Sequence, residues 1–209
     1  MMLQRSLRYL GVRFGRSTRS HKSGSLGQAV PRTDELDEAH TGLAAVLQRS
    51  ASILCGLSER TTTQKVLHIG AEGVDEEEKT FCYFLGKSSV FDVSGLVFAD
   101  VDTNLIESSG NYSEVISINE NGGIPGQLRR NSFPYIVMVS PSSNDALISP
   151  SKCLEYTIDE GYVIYGLKER LWEQMGTMDE LMSLAGSGQG EVLSIQTLEG
   201  FNLALLKKN

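Results

Sequence analysis

The sequence is poor in the side chains that most often build disulfide frameworks, metal sites and catalytic centres. It contains three cysteines, Cys55, Cys82 and Cys153, at wide spacing and without a Cys-x-x-Cys pair. An odd number of dispersed cysteines argues against a disulfide framework and indicates no zinc site. We therefore expect the cysteines to be small buried apolar residues, and we predict no metal and no cofactor.

Histidine is equally scarce. Besides one histidine near the start, the chain has His40 on a predicted helix and His68 in a predicted strand. A Ser-His-Asp or Cys-His device needs its base beside its nucleophile in space, and no local spacing joins His68 to Cys82 or Cys153. The sequence therefore predicts no catalytic residues. An enzyme assembled from distant residues such as Cys82, His68 and Asp159 is kept as an alternative.

A complete phosphate-binding glycine pattern and long apolar runs are also missing. Gly186-x-Gly188-x-Gly190 follows a predicted helix, whereas the dinucleotide-binding and Walker patterns follow a strand. This stretch is predicted to be a flexible connection. No apolar run reaches the ~20 residues that a membrane-spanning helix requires.

Acidic residues are absent from residues 1–32, which hold seven Lys or Arg. Leucines and aromatic residues interleave with these arginines, so a helix over residues 2–15 has one apolar and one cationic side. An amphipathic segment rich in Arg and Ser and free of acids is typical of a mitochondrial presequence. We predict that residues 1–32 direct the protein to the mitochondrial matrix and are disordered or removed. A basic arm that binds nucleic acid or membrane is the alternative.

Residues 33–209 are predicted to form a single acidic domain. They keep 12 of the 19 basic residues and all 26 acidic residues, which gives a net charge of −14. Such a surface repels phosphate backbones and attracts basic proteins. We therefore expect contact with nucleic acid only through protein partners.

The acids are concentrated between residues 72 and 120, which contain eleven Asp or Glu and only two basic residues, Lys79 and Lys87. Consecutive acids such as Asp75–Glu78 mostly point apart, so a solvated loop is favoured there over a cation site. We predict an acidic surface that binds basic partners with a strong dependence on salt. The candidate residues of this surface are Glu72, Asp75, Glu76, Glu77, Glu78, Asp92, Asp100, Asp102, Glu107 and Glu114.

Helical spacing is clearest between Thr33 and Gly56. Thr33 is a suitable N-cap, the first turns are acidic, and apolar residues recur every three or four positions as far as Leu54. From Lys65 to Tyr165, short runs of β-branched and aromatic residues are separated by Gly, Asn, Ser and Pro, which predicts strands. The predicted strands are Val66–Ile69, Thr80–Leu85, Leu96–Val101, Tyr112–Asn119, Tyr135–Ser140, Cys153–Ile158 and Tyr162–Tyr165.

The pattern shows no helix between these strands, so the sheet is predicted to be mainly antiparallel. Three helices are predicted after the strands. Thr177 and Glu180 form a capping-box pattern that opens a helix over Met178–Ala185, and the other two helices are marked by Leu167–Met175 and Glu191–Lys207. The predicted fold is thus α+β: an N-terminal helix, an antiparallel twisted sheet of about seven strands, and C-terminal helices packed on the sheet.

Three stretches resemble parts of a known family. "SEVISINENGGIP" (Ser113–Pro125) is similar to a strand that ends in an Asn-rich turn and proline, "SFPYIVMVS" (Ser132–Ser140) to the following Phe-Pro strand, and Met178–Lys208 to paired terminal helices. The family is the mitochondrial glycoprotein family of acidic matrix proteins, also called the complement component 1 Q subcomponent-binding protein family. The resemblance implies a ring-shaped homotrimer with one strongly negative face and no enzymatic site.

The predicted function is that of a non-enzymatic adaptor or chaperone-like protein of the mitochondrial matrix. The acidic composition favours basic RNA-binding or ribosomal proteins as its partners. The resemblance implies a part in mitochondrial RNA processing, ribosome function or translation. A structural subunit of a mitochondrial assembly, such as the ribosome or a respiratory complex, is the alternative.

Overall fold

The computed structural model describes residues 33–58, 65–70, 81–87, 95–100, 113–117, 128–140 and 148–209. The helices in these ranges are α1 (Thr33–Leu57), α2 (Phe81–Lys87), α3 (Pro150–Tyr156), α4 (Glu169–Gln174) and α5 (Thr177–Ser187). The strands are β1 (Val66–Ile69), β2 (Leu96–Asp100), β3 (Glu114–Ser117), β4 (Phe133–Ser140), β5 (Thr157–Lys168), β6 (Gly190–Leu198) and β7 (Phe201–Lys208). The predicted presequence, residues 1–32, lies outside the described residues.

The described strands form one mixed sheet in the order β3-β2-β1-β4-β5-β7-β6. The first five strands are parallel, with β1 paired to β2 and β4, β2 to β3, and β4 to β5. Strand β7 is antiparallel to both of its neighbours, β5 and β6. Because β6 therefore runs in the same direction as β5, β7 is the only reversed strand in the described sheet.

Helices cover both faces of this sheet. Side chains alternate between the two faces along each strand, so neighbouring residues of one strand enter different cores. In β1, Val66 packs into the core formed with α1 and α2, whereas Leu67 packs into the core formed with α3, α4 and α5. Both residues are almost completely buried. Parallel strands buried on both faces are the usual arrangement of doubly wound α/β folds.

The prediction of an antiparallel α+β sheet is wrong because one predicted strand is a helix and another begins inside a helix. Of the segment predicted as the strand Thr80–Leu85, the described part from Phe81 onwards lies in α2, with Phe81, Cys82 and Leu85 buried on one side. The segment predicted as Cys153–Ile158 is the end of α3 followed by the start of β5. The helix α3 supplies the crossover between β4 and β5 that parallel pairing requires.

The predicted last helix, Glu191–Lys207, is also wrong, because this segment forms the β6–β7 hairpin. Its two-residue turn is Glu199-Gly200, with φ of 49° and 74°. Two consecutive positive φ angles are the geometry of the type I′ turn that favours glycine. The glycine within the predicted helix was therefore the signal of a hairpin.

Helices α1, α4 and α5 confirm three of the predicted helices, although α5 begins differently from the prediction. Gly176, with φ of 61°, is the N-cap residue of α5, and Thr177 is the first residue of the helix. The Glu180 carboxylate accepts a hydrogen bond from the Ser151 backbone N–H at 3.0 Å. The predicted capping box is therefore not formed, since Thr177 lies one position too late to cap the helix.

Close contact between α1 and the β6–β7 turn generates a stability prediction. A Cβ atom added at Gly42 would lie 2.8 Å from the Glu199 carbonyl oxygen, whereas one added at Gly56 of the same helix would meet nothing within 4 Å. Both changes to alanine gain helix propensity of about 1 kcal/mol. We expect Gly42→Ala to lower the free energy of unfolding by about 1 kcal/mol or more because of the collision, and Gly56→Ala to raise it. Urea denaturation of both variants tests this, and equal effects would contradict the packing described.

Candidate functional site

The carboxyl ends of the parallel strands meet at one edge of the sheet, hereafter the carboxyl edge. After β1 the chain builds β2 and β3 on one side and then returns to place β4 on the other side of β1. Connections that leave in opposite directions open a crevice between the two strand ends. In open α/β sheets, ligands bind in such a crevice, called the topological switch point.

Strand β1 ends before both of its neighbours at this edge. Ile69, its last residue, pairs with Ala99 of β2 and Met138 of β4. Strand β2 continues by one residue to Asp100, and β4 continues by two residues to Ser140. At about 3.3 Å per residue, β1 ends about 3 Å before β2 and about 7 Å before β4, and this offset between the strand ends is hereafter the notch.

Gly70 follows β1 directly at the bottom of this notch. Its φ is 101°, and its backbone N–H donates to the Ala99 carbonyl oxygen at 3.2 Å. This φ lies in the region that favours glycine, so a side chain at position 70 would strain the turn. The absence of a side chain also lets a ligand approach the backbone at the end of β1.

Two of the ten predicted acidic surface residues lie within the described residues, at opposite edges of the sheet. Asp100 ends β2 at the carboxyl edge and pairs with Ser117, whereas Glu114 begins β3 and pairs with Val97. The structure therefore does not bring Asp100 and Glu114 together on one patch. The other eight residues, Glu72, Asp75, Glu76, Glu77, Glu78, Asp92, Asp102 and Glu107, lie outside the described residues.

His68 is completely buried in β1 on the face covered by α1 and α2. Its ring lies 4.7 Å from the Phe81 ring, between centroids. Burial lowers the pKa of His68 from 6.5 to about 3, so the imidazole is neutral near pH 7. Asp159 lies near the amino end of β5, where its carboxylate is 3.5 Å from the Lys208 ammonium. The structure therefore does not assemble the alternative catalytic set of Cys82, His68 and Asp159.

Two side chains accept hydrogen bonds from the backbone at the start of α3, the helix that follows β4 in the chain. The Ser149 hydroxyl accepts from the Lys152 N–H at 3.4 Å, and the Glu180 carboxylate of α5 accepts from the Ser151 N–H. These oxygens satisfy backbone donors that have no partner within the helix. Burial, together with the nearby Glu180 charge, raises the pKa of the Cys153 thiol, so this cysteine is not a reactive thiolate.

The described residues show no sign of a metal centre. Across their ranges, no three His, Cys, Asp or Glu side chains converge as possible metal ligands. The prediction that the cysteines are buried is confirmed for Cys82 and Cys153, whereas Cys55 is only half-buried. No described helix is long and apolar enough to cross a membrane.

Comparison with solved structures identifies the fold. The plantazolicin methyltransferase BpumL, solved with S-adenosylhomocysteine, superposes with a TM-score of 0.55 and 10% identity over 84% of this chain and 87% of its own. A protein of Methanococcus maripaludis assigned as an S-adenosylmethionine-dependent methyltransferase gives a TM-score of 0.54 and 12% identity, over 88% of this chain and 98% of its own. The chain therefore has an α/β fold that these methyltransferases share.

A third solved structure agrees with these two. The 16S rRNA methyltransferase RmtF, in complex with S-adenosylhomocysteine, gives a TM-score of 0.50 and 11% identity over 84% of this chain and 65% of its own. No family model and no curated protein sequence matches the chain. Identities this low establish a shared fold and do not by themselves transfer an activity.

The shared fold overturns the resemblance to the mitochondrial glycoprotein family. The solved structures that superpose on the chain are methyltransferases with a mainly parallel α/β sheet, whereas the resemblance implied an antiparallel one. The ring-shaped homotrimer rested on that resemblance and loses its support. The prediction of a non-enzymatic adaptor in RNA processing or translation took its support from the same resemblance, and the fold that the chain shares with methyltransferases contradicts it.

From the sequence, Gly70 was not singled out, and Asp100 was assigned to an acidic protein-binding surface and not to a ligand-binding edge. The signal was Gly70-x-x-Gly73 directly after the apolar run of β1, followed by Asp100 at the end of the next apolar run. A glycine turn after a strand, with an acid after the next strand, is the pattern of a nucleotide-binding edge. Glu72 stands where the dinucleotide pattern has its second glycine, so the motif is incomplete.

The buried His68 generates a prediction about pH. The unfolded chain takes up a proton near pH 6.5 and the folded chain only near pH 3, so this residue favours folding fully above pH 6.5 and less as the pH falls. We expect the free energy of unfolding to fall between pH 6 and pH 4 by about 1.4 kcal/mol per pH unit more in the wild type than in His68→Leu. Chemical denaturation at several pH values measures both slopes, and parallel slopes would contradict the buried neutral imidazole.

Proposed function

We propose that this protein is an S-adenosylmethionine-dependent methyltransferase that binds S-adenosylmethionine at the notch above β1. The observation that carries the proposal is the fold shared with methyltransferases over most of the chain, combined with a strand order that puts a topological switch point between β1 and β4. A parallel sheet of this kind binds its ligand at that point. The similarity in fold alone does not name the molecule that accepts the methyl group.

The residues at the notch fit the nucleoside part of such a ligand. Gly70 keeps the bottom of the notch open, because its φ of 101° and missing side chain leave the backbone accessible. Asp100 stands at the end of the neighbouring strand β2. In related α/β sheets, an acid at the end of that strand accepts hydrogen bonds from ribose hydroxyls, and we assign this role to Asp100.

The charge of the sequence after β1 favours S-adenosylmethionine over a dinucleotide. Glu72 and Asp75–Glu78 follow Gly70 within eight residues, and Lys79 is the first cation after them. A pyrophosphate would be repelled by five carboxylates, whereas the sulfonium and ammonium groups of S-adenosylmethionine are attracted by them. The missing second glycine of the dinucleotide motif agrees with this choice.

The bound cofactor would supply a methyl group made electrophilic by the positive sulfur. The lone pair of the acceptor would form the new bond to the methyl carbon, the electron pair of the broken carbon–sulfur bond would stay on sulfur, and the proton of the acceptor would go to water. The contribution of the protein is to hold the two reactants in line and close together, which is the source of large rate gains in such transfers. A location in the mitochondrial matrix stays a prediction of the sequence.

Isothermal titration with S-adenosylmethionine and S-adenosylhomocysteine tests the proposal directly. We expect both to bind, and we expect Asp100→Ala to weaken binding by about tenfold or more, because a hydrogen bond to a charged group contributes about 1.5–3 kcal/mol. Glu114→Gln is the matched control, since Glu114 is an exposed acid one strand away at the opposite edge, and it should leave binding unchanged. Absence of binding in the wild type, or equal binding by Asp100→Ala, would contradict the proposal.

A further inference from the structure

Strand β6 forms an outer edge of the described sheet, beyond β7. The backbone groups on its outer side therefore have no partner among the described strands. Natural edge strands are commonly protected by lysine, proline or an inward-pointing charge. Strand β6 contains no proline and no basic residue, and Glu191 is its only charged residue. A strand of this kind is a template for pairing with another chain.

The turn and the bulge of the hairpin decide which residues of β6 direct backbone groups outward. Leu198 and Phe201 flank the two-residue turn and are hydrogen-bonded to each other, and bonded pairs then recur at every second position. The bulge at Leu193 shifts this alternation by one residue, so Glu191 is again bonded to its partner Lys207. Four residues direct backbone groups outward: Gly190, Val192, Ile195 and Thr197.

A two-fold axis at the middle of β6, between Leu193 and Ser194, would match these outward residues with one another. Val192 would lie opposite Ile195 of the partner subunit in an antiparallel pairing, and the symmetry makes a second, identical pair. Both side chains are half-buried and pack against the core beneath α5, so the two residues of each pair share a face, as cross-strand pairing requires. The strand is therefore complementary to itself in its apolar residues.

Charge is complementary on the other face of the same pairing. The Gln196 Oε1 accepts a hydrogen bond from the Arg49 Nε of α1 at 3.4 Å, so the guanidinium lies beside this position of β6. Glu191 shares that face, because its neighbour Val192 points to the other one. The two-fold axis would place Glu191 opposite Gln196 of the partner subunit and thus beside the partner subunit's Arg49.

Helix α5 adds an apolar flank on the outer side of β6. Among the strands, α5 packs mainly on β6, whereas α3 lies over β4 and β5. Glu180 is on the side of α5 that faces α3, since its carboxylate accepts from the Ser151 N–H at 3.0 Å. Met178 and Met182 lie on the opposite flank of the helix and are 41% and 58% exposed. Together with Leu193, they are three of the four exposed large apolar side chains of the described residues.

We infer that the protein is a homodimer in which two copies of β6 pair antiparallel and join the two sheets into one. The nine residues of β6 and the eleven of α5 provide about 20 residues a side, which reaches the lower end of the size of a stable interface. Strands β5 and β7 separate β6 from the switch point between β1 and β4. The dimer is therefore independent of the proposed S-adenosylmethionine site.

Sedimentation velocity of the full chain tests the oligomeric state. We expect a mass of about twice the 22.9 kDa of one chain. Leu193→Lys places two ammonium groups near the two-fold axis, and we expect it to raise the dissociation constant of the dimer by about tenfold or more. Met175→Lys is the matched control, because Met175 is 43% exposed, against 41% for Leu193, and lies on α4. It should leave the dimer unchanged.

A wild-type monomer or trimer at micromolar concentration would overturn the inference. A dimer that Leu193→Lys leaves intact would place the interface elsewhere and would overturn it as well.

A charge exchange tests the register of the pairing. We expect Glu191→Arg to raise the dissociation constant by about tenfold, because two exposed pairs of opposite charge become pairs of like charge. Adding Arg49→Glu in the same chain should restore the dissociation constant of the wild type. Circular dichroism checks that both variants are folded. Failure of the second change to restore the dimer would contradict pairing about an axis between Leu193 and Ser194.

Discussion

Parallel pairing of β1 with β4 in the middle of the sheet is the constraint on which the rest of the structure depends. Two adjacent parallel strands cannot be joined by a tight turn, so each connection must cross a face of the sheet. The crossovers bring helices onto both faces, which buries the strands completely. They also place all the carboxyl ends at one edge, and the reversal of direction between β1 and β4 opens the notch there.

The reversed strand β7 determines which turn lies at the carboxyl edge. Because β7 returns antiparallel beside β5, the turn of the β6–β7 hairpin lies at the carboxyl edge. Gly42 of α1 packs so closely on this turn that no side chain fits between them. This contact holds α1 against the β6–β7 turn and covers the core that contains Leu43 and Phe201.

Two of the predicted acidic surface residues, Asp100 and Glu114, have described positions in this fold. Taken as a sequence, eleven acids between residues 72 and 120 suggested one negative face that binds basic proteins. In the structure, Asp100 and Glu114 lie at opposite edges of the sheet. Asp100 ends β2 and therefore lies at the carboxyl edge, whereas Glu114 begins β3, which runs parallel to β2, and does not lie there.

The sequence by itself determined the features that depend on local periodicity. It located α1, α4, α5 and the strands β1–β4 within a few residues, and it predicted the burial of two cysteines. Strand direction was decided only by the tertiary structure, because pairing depends on partners distant in the chain and β propensities differ by only about 1 kcal/mol. The seven-residue helices α2 and α3 are too short to be stable alone, so packing against the sheet decided their conformation. The site depends on strand direction. Gly70 and Asp100 lie at the same edge of the sheet because β1 and β2 are parallel.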